Sequence, residues 1–368
     1  MILTDIIVSY ISGKEYSLPE NANISMLYAV SKRHDLAHLL AAALEKQGIL
    51  PENELGDELK KQKLLAIYRR EQLDYEEERI CGILKSAQIP YIPLKGAVLK
   101  QLYPEKWMRT SCDIDILIQE ENKQQAITLL CERLGYTRET DGERDCSLIS
   151  KSGMNLELHF SLKCDNERLN PTLSRVWDCS VLRAGCERAL TNEFFVFYHI
   201  AHMLIHFAEG GCGIRPFIDL WLFENANAIN EEELTRLFKE SGCLDFYNGV
   251  CALCGVWFGG APHTRQTELL EEYIVSGGVY GSRENLGSAG RHKKGGYLKY
   301  LLSRIFMPKE KLRLVYPKID KHPILIPYYW VKRWFTLFNK NTFKSAKSEL
   351  SGNKKAQSTD ELFTYLGL

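Results

Sequence analysis

Two aspartates alternate with isoleucines in Asp113-Ile-Asp-Ile-Leu-Ile118, a run whose β-branched residues predict a strand although aspartate is disfavoured in strands. Side chains two apart on a strand leave the same face, with Cα atoms roughly 6.5–7 Å apart. Asp113 and Asp115 therefore point one way, and Ile114, Ile116 and Ile118 the other. A second alternating run, Met154 to Phe160, puts Glu157 and His159 on one face and Leu156 and Leu158 on the other. If the two runs are neighbours, three carboxylates meet, and their repulsion calls for a cation. Mg²⁺ (or Mn²⁺) held by two or three carboxylates and by substrate phosphates resolves it. Paired ions of this kind clamp the attacking and leaving oxygens of a phosphoryl transfer. Asp113, Asp115 and Glu157 are thus the candidate metal-binding and catalytic residues.

A phosphate end lies upstream. Lys95-Gly96 separates an extended segment from a short helix, where a glycine lets backbone N–H groups approach a phosphate and a helix start favours the anion. Arg109 offers a planar fork for a second phosphate. Lys95, Gly96, Arg109 and His159 are the candidate nucleotide-binding residues. Downstream, His202 and His206 share one helix face at metal-ligand spacing, but Met203 stands where a zinc-protease motif needs glutamate. Arg215 and Asp219 are also four apart, the spacing of a helix salt bridge. These four are candidates for contact with substrate in a cleft.

The elements that must hold these residues follow from periodicity. Residues 24–86 read as helix in two runs punctuated by Gly48 and Pro51, first through Met26, Leu27, Val30, Leu36, Leu39, Leu40 and Leu44, then through Leu64, Ile67, Tyr68, Ile80, Ile83 and Leu84. Ile89-Pro-Tyr-Ile-Pro-Leu94 reads as extended, because each proline biases its predecessor toward the β region. A short helix after Gly96 ends at Pro104, the strand Asp113–Ile118 follows, and residues 120–134 form an amphipathic helix closed by Gly135. Strands at Cys146–Lys151 and Met154–Phe160 flank Ser152-Gly153 as a hairpin. Helix returns from about residue 191, with later helices at 217–223, 231–242, 244–258 and 297–306. Seven glycines mark 276–296 as a long loop, whose Arg283, Arg291, Lys293 and Lys294 suit a basic lid as well as a solvated turn. An extended piece near Pro317–Pro323, an aromatic helix Tyr328–Phe338 and a polar tail, poorly ordered from about Lys340 until Leu362, complete the reading. Lys332 and Arg333 of the aromatic helix suit the basic outer face of a core helix better than a membrane or partner surface.

The expected organisation is α+β: an N-terminal helical region over 1–88, a small mixed-sheet core over 89–190, and a C-terminal helical region over 191–368 that closes the cleft. Lys+Arg and Asp+Glu each total 47, so no global field argues for an extended nucleic-acid partner. Eleven scattered cysteines and a start without a signal peptide predict reduced thiols in a cytoplasmic protein. Cys251 and Cys254 lack a second pair and fall in an apolar helical run, which favours core thiols over zinc. No run of about 18 apolar residues predicts a membrane span.

Leu94-Lys-Gly-Ala-Val-Leu, Leu102-Tyr-Pro, Arg109 and Asp113-Ile-Asp-Ile-Leu-Ile118 resemble the core of an uncharacterised nucleotidyltransferase family within the DNA polymerase beta-like superfamily. Gly96 matches that superfamily's turn, Asp113 and Asp115 its paired carboxylates, and Glu157 its third. His202–His206 and Arg215–Asp219 resemble segments seen after the core. The resemblance implies Mg²⁺- or Mn²⁺-dependent transfer of an NMP from an NTP to an acceptor, which is a protein, sugar, small molecule or RNA. The turn departs from the pattern at Ala97, where a serine hydroxyl commonly touches the terminal phosphate. That departure keeps open a nucleotide-binding regulatory protein of weak or no activity. A metallohydrolase built on His202 and His206 is the third reading.

Overall fold

The computed structural model describes residues 1–335 and 353–368. Two compact units divide it: Met1–Met203 with Ile214–Pro262, and Leu204–Gly213 with His263–Leu368.

The first unit is built on a seven-stranded mixed sheet in the order β3-β4-β5-β2-β1-β7-β6. The strands are β1 (Tyr91–Pro93), β2 (Asp113–Ile118), β3 (Thr137–Asp141), β4 (Asp145–Ile149), β5 (Asn155–His159), β6 (Ser180–Ala184) and β7 (Glu187–Leu190). β2 and β5 pair in parallel, with Asp115 opposite Glu157 and Leu117 opposite His159. The helix α6 (Lys123–Leu134) and the β3–β4 hairpin make the connection a parallel pair requires. α6 stops at Gly135, whose φ of +73° is the left-handed cap expected from its position.

One face of the sheet is apolar. Ile114, Ile116, Ile118, Leu156 and Leu158 pack there with Leu73, Ile80 and Leu84 of α4 (Glu54–Ser86) and with Ala126, Ile127 and Leu130 of α6. The buried stripe of α4 follows the aliphatic spacing at Ile80 and Leu84 but departs from it earlier in the helix. Leu64 and Tyr68 are 65% and 62% exposed, whereas Arg70 and Glu76 are buried. Polar partners explain this: Arg70 meets Asp74 at 2.7 Å, and Glu76 accepts from Tyr136 Oη at 3.1 Å. Ahead of α4 lie α1 (Ile2–Ile11), α2 (Ile24–Arg33) and α3 (Ala37–Lys46), and α3 is buried from Ala37 through Leu44.

After α5 (Lys95–Leu99) and a short α7 (Asn170–Leu173) come α8 (Asn192–Ala208), α9 (Arg215–Ala226), α10 (Glu231–Glu240) and α11 (Leu244–Gly259). All eleven cysteines are free thiols. In α11 Cys254 is buried and Cys251 half-buried, and burial pushes the Cys251 thiol up to about 12.

The second unit holds α12 (Arg265–Gly277), α13 (Arg283–Lys294), α14 (Tyr297–Ile305), α15 (Lys309–Val315), α16 (Ile326–Phe335) and the helix Asn353–Tyr365. The loop expected over 276–296 is therefore mostly the helix α13. Ser282 caps it, and the fully buried Asn285 donates to the carbonyls of Gly210 and Tyr273, each at 2.9 Å. Gly290 serves packing: a Cβ there would overlap the Tyr300 ring. Arg291 is buried, its guanidinium 5.0 Å from the Tyr297 ring, so it is no part of a solvated lid. The piece expected to be extended, Pro317–Pro323, instead holds the 3-10 turns Pro317–Ile319 and Pro323–Leu325, which proline's fixed φ permits. The tail is helical again from Asn353, earlier than expected. The last residues of the expected aromatic helix and the start of the polar tail, 336–352, lie outside the described residues. No helix among the described residues is long and apolar enough to cross a membrane.

Candidate active site

The sheet face opposite the apolar core carries the acidic residues. Asp115 and Glu157 sit side by side on β2 and β5, and His159 follows two residues on, so all three share a face. His159 Nε2 donates to Asp115 Oδ1 at 3.1 Å and lies 3.7 Å from Glu157 Oε2. Ligand atoms of Asp115, Glu157 and His159 all fall within 4.8 Å of one another. Asp113 leaves β2 one step earlier on the same face, opposite Asn155. It is not one of that close trio, but it lies within its field.

The electrostatics separate the carboxylates. Burial works to raise Asp115, but the charge of Lys95, the bond and charge of His159, and Arg109 together hold it down at about 2. Asp113 is raised by burial and by Asp115, against the pull of Lys95, Arg215 and Arg109. Glu157 is raised by burial, Asp115 and Asp113. One carboxylate is thus firmly ionised, and two resist ionising beside it. Divalent-cation binding fits this donor set: carboxylate oxygens suit Mg²⁺, the imidazole nitrogen is compatible with Mn²⁺, and added positive charge would relieve the repulsion that raises Asp113 and Glu157.

At the other end, Lys95 opens α5, with its Nζ 5.7 Å from the centre of the Tyr198 ring on α8. α5 is only five residues long, so the pull expected from a helix start is slight here; side chains supply the donors. The Gly96 backbone has no positive φ to demand glycine, and a Cβ there would meet Arg109 Nη1 and Ser111 Oγ at 3.7 Å, an ordinary contact. What glycine leaves is an uncovered floor between a guanidinium nitrogen and a hydroxyl.

Arg109 is buried rather than held out to solvent. Its Nε and Nη2 donate to the two oxygens of Asp219, each at 3.1 Å, and Tyr103 Oη donates to the same carboxylate at 2.9 Å. Only Nη1 remains toward Gly96. Arg215 and Asp219 do not pair with each other, as their spacing suggests. Arg215 Nη1 instead donates to Asp35 Oδ2, the Thr110 carbonyl and Thr110 Oγ1, each at 2.9 Å. Two residues of α9 thus clamp Arg109 and Thr110, just ahead of Ser111 and β2. Buried His38 adds a third tie, its Nε2 donating to the Met108 carbonyl at 2.9 Å.

Ser111 and Tyr198 are the residues that sequence reasoning missed. Ser111 had a signal, since it lies between Arg109 and Asp113. Tyr198 had one only in its place a turn before His202 on α8; its hydroxyl is raised well above the usual range by burial and by Asp115, Glu157 and Asp113. His202 is half-buried and His206 exposed. Neither joins a group of three potential metal ligands among the described residues.

A family model described as an uncharacterised nucleotidyltransferase matches residues 20–259. That is well over half of the chain, and the chain belongs to this family. No curated protein and no solved structure matches it.

Proposed function

We propose that this protein transfers a nucleoside monophosphate from an NTP to an acceptor nucleophile with release of pyrophosphate, using the polymerase beta-like arrangement of carboxylates on adjacent strands. The observation that carries the reading is the register of β2 and β5, which sets Asp115 beside Glu157 with Asp113 one step away. A Mg²⁺ or Mn²⁺ bound to Asp113, Asp115 and Glu157 supplies charge neutralisation and a more acidic acceptor hydroxyl. His159 keeps Asp115 oriented and ionised. Glu157, which is 41% exposed, takes part in the acceptor's deprotonation.

The donors around the Gly96 floor bind the triphosphate: Lys95 by charge, Arg109 through Nη1, and Ser111 through its hydroxyl. Ser111 takes the part of the hydroxyl that the turn lacks at Ala97. Arg109, fixed by Asp219, meets the charge that builds on the departing pyrophosphate without having to move. Arg215 and Asp219 are positioning residues in this scheme. His202 and His206 belong to no group of three potential metal ligands among the described residues, so the metallohydrolase reading draws no support from them. The regulatory reading, favoured by Ala97, is weakened by Ser111.

The test is incubation with each labelled NTP, Mg²⁺ or Mn²⁺ and a cell extract, followed by identification of whatever acquires label. Cation-dependent labelling by the α-phosphate and not the γ-phosphate is expected. Triphosphate binding without transfer to any acceptor would favour the regulatory protein instead.

A further inference from the structure

The second unit carries a surface unlike the rest of the chain. Between Lys293 and Phe335 there are eleven Lys or Arg and only two acids, Glu310 and Asp320, in a chain of zero net charge. α14 and α16 pack together there. Trp334 Nε1 donates to the Ile305 carbonyl at 3.0 Å, and the Phe306 and Trp330 rings stand 5.1 Å apart. Each helix buries one aromatic, Tyr300 on α14 and Tyr329 on α16. Each also exposes apolar residues at helical spacing: Leu298 and Leu302, 71% and 54% exposed, and Tyr328 and Val331, 60% and 43%. Ile324, in the turn entering α16, is 88% exposed. Lys299 and Lys332, both exposed, adjoin these residues in the chain.

Scattered apolar exposure needs no explanation, but apolar residues exposed at helical spacing on two helices in contact, amid a large cationic excess, combine the two features of an interaction surface. We propose that this face docks on an anionic lipid bilayer, with Leu298, Leu302, Val331 and Ile324 entering the headgroup boundary and the surrounding lysines meeting lipid phosphates. An interfacial surface combines apolar residues with basic ones in this way. An RNA backbone would satisfy the lysines but offers nothing to four aliphatic side chains. An extended anionic plane matches a charge excess spread from Lys293 to Lys332. The docking is peripheral, since no described helix is long and apolar enough to cross.

The test is sedimentation of the full chain with vesicles of phosphatidylcholine alone or with equimolar phosphatidylglycerol. The expected result is about tenfold tighter binding to the anionic vesicles, weakened by added salt, with Lys299→Glu and Lys332→Glu each reducing it about fivefold or more. Leu302→Ser, which removes apolar area from an exposed site, reduces it about tenfold with an unchanged melting temperature. If Leu302→Ser does not fold, the two lysine variants decide alone. Equal binding to both vesicles, no binding to either, or tighter capture by single-stranded RNA or polyglutamate would overturn the proposal.

Discussion

On α4 and just after α5, Asp74 and Glu77 meet Lys100 Nζ at 2.6 and 2.7 Å and Arg70 Nη2 at 2.7 and 3.8 Å. Two carboxylates there face two cations, with Lys100 and Arg70 buried. On the sheet, Asp113, Asp115 and Glu157 have one imidazole in direct reach and no ion pair with Lys or Arg among the described residues. The first cluster is closed on itself and holds the end of α5 against α4. The second carries more negative charge than its neighbours match, at a cost the fold tolerates where something else is to bind. Balance suits a structural charge cluster, and imbalance suits the proposed cation site.

The contrast can be broken most severely at Asp115. Asp115→Asn should lower nucleotide transfer about a thousandfold with little change in denaturant midpoint; a residual rate above a tenth of wild type would make the acidic face merely structural. Lys100→Met should do the reverse. It leaves Asp74 and Glu77 short of a counter-charge and should cost about 3 kcal/mol in urea unfolding, with specific activity of the folded fraction kept within a few-fold. A loss below about 1 kcal/mol would place that cluster with ordinary surface pairs. Ser111→Ala should raise KM for the NTP about tenfold, the worth of one hydrogen bond to a charged group; an unchanged KM would remove Ser111 from the phosphate end.

The smallest effect is one of sign. Because the folded-state pKa of Glu157 is raised, the folded chain binds its proton more tightly than the unfolded chain, and stability is lost as pH rises through the range in which Glu157 ionises. Cation-free Glu157→Gln should therefore gain on wild type from about pH 4.5 upward, a gain that saturating Mg²⁺ reverses. A constant difference across pH would mean that Glu157 sits in no repulsive field.

Much of this was readable in the sequence where one residue type settles a face. Alternation in Asp113–Ile118 and in Met154–Phe160 gave both strands within two residues of their ends, and the carboxylates on their common face. The pairing of β2 with β5 was only a condition, because nothing in either run says which strand it will join. β3, β6 and β7 went unread: Thr137–Asp141 is wholly exposed and Ser180–Ala184 nearly so, which leaves no alternation to detect. α1 went unread although Leu3, Ile6, Ile7 and Ile11 repeat at helical spacing. The site's polar clamp was the least legible part. Arg215 and Asp219 are four apart, and the local rule pairs them with each other, but burial gave each a better partner elsewhere in the chain.

That clamp also bears on the order in which the protein can be made. Arg109 finds Asp219 across 110 residues, Tyr103 finds it across 116, and Arg215 reaches back 180 to Asp35. During synthesis the strands and their carboxylates emerge long before α9, and until it docks the guanidinium that faces Gly96 has no anion to fix it. Contacts so distant in sequence close late, after the loop entropy between them has been overcome. A fragment ending with the sheet would thus hold the proposed metal ligands and lack the order of the proposed phosphate donors. In the proposed scheme α9 touches no reacting atom, yet its docking sets when the donors around Gly96 are in place.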